Sequence, residues 1–176
     1  MKPRFFKNLL CLSVAVVLAC AAREALPGLR GVKIPWLIAV VSYYAARREA
    51  GWGFAAALWC GFAQDGLDGM GWNFGAPLFV GFWLLCVFVV KKQMQDNGRT
   101  CAVAAVGLAL AHEAACFAAL RLGGFAASAT PGHLLARLAV MLPAAAAAAF
   151  AVDFFTRRAD TALGNVEEVL FGQTSY

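Results

Sequence analysis

Five ionisable side chains interrupt otherwise apolar sequence, and they define what chemistry this chain could do. Asp65 and Asp68 lie in the string GFAQDGLDGMGWNFG at 61–75, between apolar runs at 52–63 and 74–90. His112 and Glu113 sit well inside a later apolar run, and Arg137 sits near the start of the next. Ionisable groups are costly in hydrocarbon, so each is a candidate for function. Carboxylates at a membrane boundary bind a cation, exchange protons, or cap helices and solvate a turn. Counting about 1.5 Å per residue from the loop that joins their runs, Glu113 lies about 10 Å deep and Arg137 about 4–6 Å deep. A long guanidinium covers that difference, so a Glu113–Arg137 ion pair is expected. Such a pair holds two helices together, or it serves as a proton relay or ligand site. Both readings stay open here.

Hydrolytic chemistry needs more than these groups. A nucleophile requires a base, and a metal requires His and carboxylate ligands at fixed spacing. The two histidines are His112 and His133, and no Ser-His-Asp order, HExxH motif or phosphate-binding Walker loop is present. The cysteines, Cys11, Cys20, Cys60, Cys86, Cys101 and Cys116, lie in or at the ends of apolar runs without CxxC spacing, as small packing residues do. Neither enzyme activity, a metal nor a cofactor is expected.

The elements that carry these residues are membrane-like. The 176 residues are 62% hydrophobic and 14% charged, with a mean hydropathy of +0.70. Soluble domains are nearer about 45–50% apolar and about 25% charged. An all-α, polytopic integral membrane protein follows, with one domain over 1–158 and about six transmembrane helices at 5–22, 34–46, 51–64, 74–90, 100–120 and 134–155. Residues 159–176 read as a short cytoplasmic tail. The basic start, Lys2, Arg4 and Lys7, has the form of a secretory signal. Because the sequence downstream is equally apolar, an uncleaved first helix is expected.

Two runs, 34–46 and 51–64, are short for a perpendicular span of about 20 residues. They cross with help from their flanks, sit in a thin place, or form a re-entrant pair. Trp36 at one end of 34–46, with Tyr43 and Tyr44 at the other, has the pattern of interfacial anchors. Gly51, Gly53 and Gly61 permit close helix approach, and Gly66, Gly69, Gly71 and Gly75 supply turn conformations. The basic residues follow the positive-inside rule. With the N-terminus inside, ten (Lys2, Arg4, Lys7, Arg47, Arg48, Lys91, Lys92, Arg99, Arg157, Arg158) fall on the cytoplasmic side, against five (Arg23, Arg30, Lys33, Arg121, Arg137) outside. Both termini are therefore expected in the cytoplasm. The net charge of +5 is absorbed by this topology, so nucleic acid is not an expected partner.

The pattern Gly61-Phe62-Ala63-Gln64-Asp65, a glycine-punctuated loop, and Gly75-Ala76-Pro77-Leu78-Phe79 opening a long span resembles the central signature of the bacterial rod shape-determining MreD family. The resemblance implies a bacterial inner-membrane protein, similar in fold to the six-helix substrate-binding subunits of vitamin (ECF) transporters. It further implies a non-enzymatic scaffold of the cell-elongation complex that binds MreC. Through MreC it would reach MreB and the glycosyltransferase and transpeptidase pair that builds peptidoglycan. Gly61, Asp65 and Gly75 are the matching positions, with a packing role. Independently, so little polypeptide outside the bilayer leaves lipid-facing surfaces as the main route to partners. The small-residue faces Ala102, Ala105, Ala109 and 144–149 either dock another helix or pack internally. The alternative function is a small-molecule (vitamin-type) binding subunit of a transporter, with Asp65, Trp72, Asn73, His112 and Glu113 around the ligand.

Overall fold

The structure is a computed structural model that describes residues 3–26, 32–68, 74–90, 98–123 and 130–164. Among these the regular elements are all helical: α1 (Pro3–Ala25), α2 (Trp36–Arg47), α3 (Ala50–Asp68), α4 (Gly75–Leu85) with a π-helical continuation (Cys86–Val90), α5 (Gly98–Leu122) and α6 (Pro131–Ala162). Three helices, through Phe5–Ala25, Arg99–Leu122 and Pro131–Ala162, are long and apolar enough to cross a bilayer. The chain is thus an all-helical protein with membrane-spanning character.

Side-chain contacts fix the helix directions. At one end, Lys7 Nζ donates to the Leu163 carbonyl at 3.0 Å, Arg48 donates to Asn8, and Arg47 Nε donates to Asp153 at 2.5 Å. The start of α5 joins them, with the Cys101 thiol 3.6 Å from Asp153. At the opposite end, Arg23 of α1 pairs with Asp68 of α3, and Arg137 of α6 pairs with Glu113 of α5. Consecutive helices therefore run in alternate directions.

α2 is the axis of this bundle. Residues 37–45 are all buried, and the helix packs against α1, α3, α5 and α6. Its 12 residues rise only about 18 Å. Enclosure by longer neighbours removes any need to match the hydrocarbon thickness, because lipid does not touch most of it. The same enclosure overturns the anchor reading of its two tyrosines. Tyr43 and Tyr44 are 1% and 0% exposed, so they are core residues and not interfacial ones. The Tyr43 hydroxyl donates to Asp160 at 2.8 Å, which lets a polar tip sit in the interior.

Element bounds also differ from those read off hydropathy. α3 stays helical through Asp68, so Asp65 and Asp68 lie on its last turns instead of in a loop. α6 continues past Arg157 and Arg158 to Ala162, because Thr156 and Asp160 give the extension a buried face. It also begins before the expected 134, at Pro131, because Thr130 caps the His133 amide and Pro131 occupies the first turn. Residues 165–176 of the expected tail, and Gly69, Gly71, Lys91 and Lys92, fall outside the described residues. The small-residue face of α5 turns inward, with Ala105 and Ala109 at 0% exposure, so it packs the core and is not a docking surface.

Tyr43→Phe removes a hydrogen bond to a buried carboxylate and should lower stability by about 1.5–3 kcal/mol. Ser13→Ala, whose hydroxyl bonds only the Leu9 carbonyl of its own helix, should cost close to nothing. Thermal unfolding in detergent checks the contrast, and equal effects would contradict it.

Candidate functional site

Two features at one end of the bundle hold the residues singled out above. The first is the crossing of α3 and α4. Gly61 packs so closely on α4 that an added Cβ would lie 2.4 Å from Ala76 Cα and 2.7 Å from Ala76 N. One turn further along α3, the Asp65 carboxylate accepts from the Gly75 amide at 2.9 and 3.1 Å and from the Ala76 amide at 3.4 Å. The first amides of a helix have no intrahelical partner, and a carboxylate there also meets the positive end of the helix dipole. Gly75 in turn has no room for a side chain, since a Cβ would sit 2.7 Å from Asp65 Oδ1. Gly61, Asp65 and Gly75 thus form one joint. Gly53 makes a second close contact, against Trp83, whereas Gly51 and Gly66 have open space and no packing role.

The second feature is a cavity of about 430 Å³ bounded by the ends of α1, α3, α5 and α6. Arg23, Gln64, Asp68, His112, Glu113 and Arg137 line its polar side. Asp68 accepts from Arg23 on Oδ1 and from Gln64 Nε2 on Oδ2 at 2.7 Å, and His112 Nε2 lies 3.8 Å from Oδ2. Glu113, buried on α5, receives a two-pronged contact from Arg137, Nε at 2.8 Å and Nη2 at 3.0 Å. This fork matches the carboxylate and fixes the α5–α6 distance. The Cys116 thiol lies 3.8 Å from His112 Nδ1.

Of the residues assigned to the alternative ligand site, His112 and Glu113 line the cavity. Asp65 instead caps α4, so it belongs to the joint. Trp72 and Asn73 lie outside the described residues. Among the described residues no three His, Cys, Asp or Glu side chains are placed so that they could hold a metal ion together.

Sequence reading missed the polar network at the other end. Arg47 contacts Asp153 through Nε and through Nη2 at 3.2 Å, and Arg48 Nε lies 3.7 Å from Asp160, a carboxylate with 0% exposure. Arg47 and Arg48 read as cytoplasmic-side charges that set the topology, yet they pair with carboxylates on α6. The spacing of Asp153, Thr156 and Asp160 carried the signal, since positions three, four and seven apart share one helix face.

Comparison with protein-family models, curated proteins and solved structures finds no match to this chain.

Gly61→Ala should destabilise the protein by about 1–3 kcal/mol through overpacking against α4. Gly66→Ala, with the same gain in helix propensity and open space, should be neutral or stabilising by up to about 1 kcal/mol. Melting temperatures in one detergent decide between them, and a stabilising Gly61→Ala would remove the close crossing.

Proposed function

We propose that the chain is a non-enzymatic scaffold subunit of the bacterial cell-elongation complex, of the MreD type. It grips the membrane helix of an MreC-like partner and through it organises MreB and the peptidoglycan-synthesising pair. The observation that carries the reading is the α3–α4 joint. Gly61, Asp65 and Gly75, the positions that match the family signature, meet at one point through a close backbone approach and a capped helix start. A role in holding two helices at a set angle explains all three residue types, and no catalytic step is needed to do so.

The six-helix arrangement similar to vitamin-transporter binding subunits is supported by the alternating helix directions and by the enclosure of the short α2. The inner-membrane orientation with both termini in the cytoplasm rests on charge. Among the described residues, Arg4, Lys7, Arg47, Arg48, Arg99, Arg157 and Arg158 lie at one end, and Arg23, Lys33, Arg121 and Arg137 at the other, seven against four. Apolar side chains along α1, including Leu10, Val17 and Leu18, and at the end of the fourth helical segment, Leu85 and Phe88, face outward. These faces suit lipid or a partner's single helix, the contacts a scaffold of this kind requires.

Depletion in the native cell, followed by microscopy and by co-purification on a tagged copy, tests the reading. Rod-shaped cells should round up, and the tagged chain should recover a single-span protein together with cell-wall synthases. Unchanged cell outline with neither partner recovered would end it.

A further inference from the structure

We propose that the cavity between the ends of α1, α3, α5 and α6 binds a phosphate group, carried by the headgroup of an anionic membrane lipid. Its wall holds three cations, Arg23, Lys33 and Arg137, against two carboxylates, Asp68 and Glu113, with His112 and His133 beside them. The carboxylates are already engaged: Asp68 accepts from Arg23 and Gln64, and Glu113 takes both prongs of Arg137. The donors are not all engaged. The Arg23 side chain is 9% exposed, and its Nη1 is buried with no hydrogen-bond acceptor among the described residues. A buried guanidinium nitrogen without an acceptor is costly, and the group that relieves it is an oxyanion, not a cation or an amine. Lys33, half-exposed and paired with Glu24 at 2.6 Å, stands at the same wall on a long stem with three donors, so it can serve a second oxyanion beside Glu24.

The rest of the lining argues for a lipid as carrier. Val32, Ile34, Leu67, Phe117, Leu120 and Met141 belong to the rest of the wall, so the cavity joins a patch of arginine and lysine donors, each with one carboxylate partner, to an apolar one. Arg23 lies in the last turn of α1, at the end of the apolar stretch Phe5–Ala25, where lipid phosphates are found. The volume of about 430 Å³ falls within the range of about 300–1,000 Å³ usual for small-molecule sites. Neither the scaffold reading nor the α3–α4 joint depends on this site, so the two stand or fall separately.

The test titrates the detergent-purified full chain with phosphatidylglycerol, with diacylglycerol of the same acyl chains, and with inorganic phosphate, followed by native mass spectrometry. Phosphatidylglycerol should bind at one per chain and diacylglycerol should not, and inorganic phosphate should displace the lipid. Arg23→Gln and Lys33→Gln should each weaken lipid binding roughly tenfold or more, the loss expected for one charge-assisted hydrogen bond. Arg158→Gln at the opposite end should leave it unchanged. Should Arg23→Gln fail to fold, the half-exposed Lys33 decides. Binding of inorganic phosphate without the lipid would keep the phosphate site and reject its lipid carrier. Equal binding of phosphatidylglycerol and diacylglycerol, or an unchanged affinity in the Lys33→Gln protein, would overturn the proposal.

Discussion

Arginines at the end of a short, enclosed helix must find carboxylates inside the bundle, and this requirement shapes much of the rest. α2 ends in Arg47 and Arg48, held close to the core by the neighbours that surround it. Leaving either charge without a partner would cost several kcal/mol, because a buried ion stripped of its counter-ion loses hydration with nothing in return. α6 therefore carries Asp153 and Asp160 on one face and extends past the expected span end to present them. Asn8 of α1 and Tyr43 of α2 itself complete the set. Three helices, α1, α2 and α6, are tied at one end by a network that hydrophobic packing alone would not orient.

The other end uses the same logic with different parts. Arg23 to Asp68 joins α1 to α3, and Arg137 to Glu113 joins α6 to α5. The α3–α4 joint adds a connection that depends on missing side chains as much as on present ones. Gly61 lets the backbones meet, and Asp65 satisfies the amides that such a meeting would otherwise strand. Between the two polar ends lies a middle of alanine, cysteine and aliphatic residues. Small residues allow close approach there, which is how helices gain contact where lipid offers apolar groups no penalty.

Much of this was legible in the residues. The apolar composition gave the helical membrane class, and the rise per residue put Glu113 and Arg137 at depths that meet. The glycines and Asp65 pointed to a close turn between two helices. What escaped was tertiary. A hydropathy reading cannot tell a short span facing lipid from a short helix hidden by others, so Tyr43 and Tyr44 looked like interfacial residues although they are core. Arg47 and Arg48 looked like topology signals, because a positive charge after an apolar run has the same pattern whether it meets water or a carboxylate. Asp65 entered both as a packing residue and as a ligand candidate, and only the position of the Gly75 amide separates the two uses.

The enclosure of α2 is the point on which the fold account turns, and hydrogen–deuterium exchange of the full chain in lipid nanodiscs measures it most directly. The account predicts that the amides of residues 37–45 are among the slowest in the protein, slower than those at the ends of α1 and α5. Exchange of those amides within minutes, at the rate of the helix ends, would contradict it.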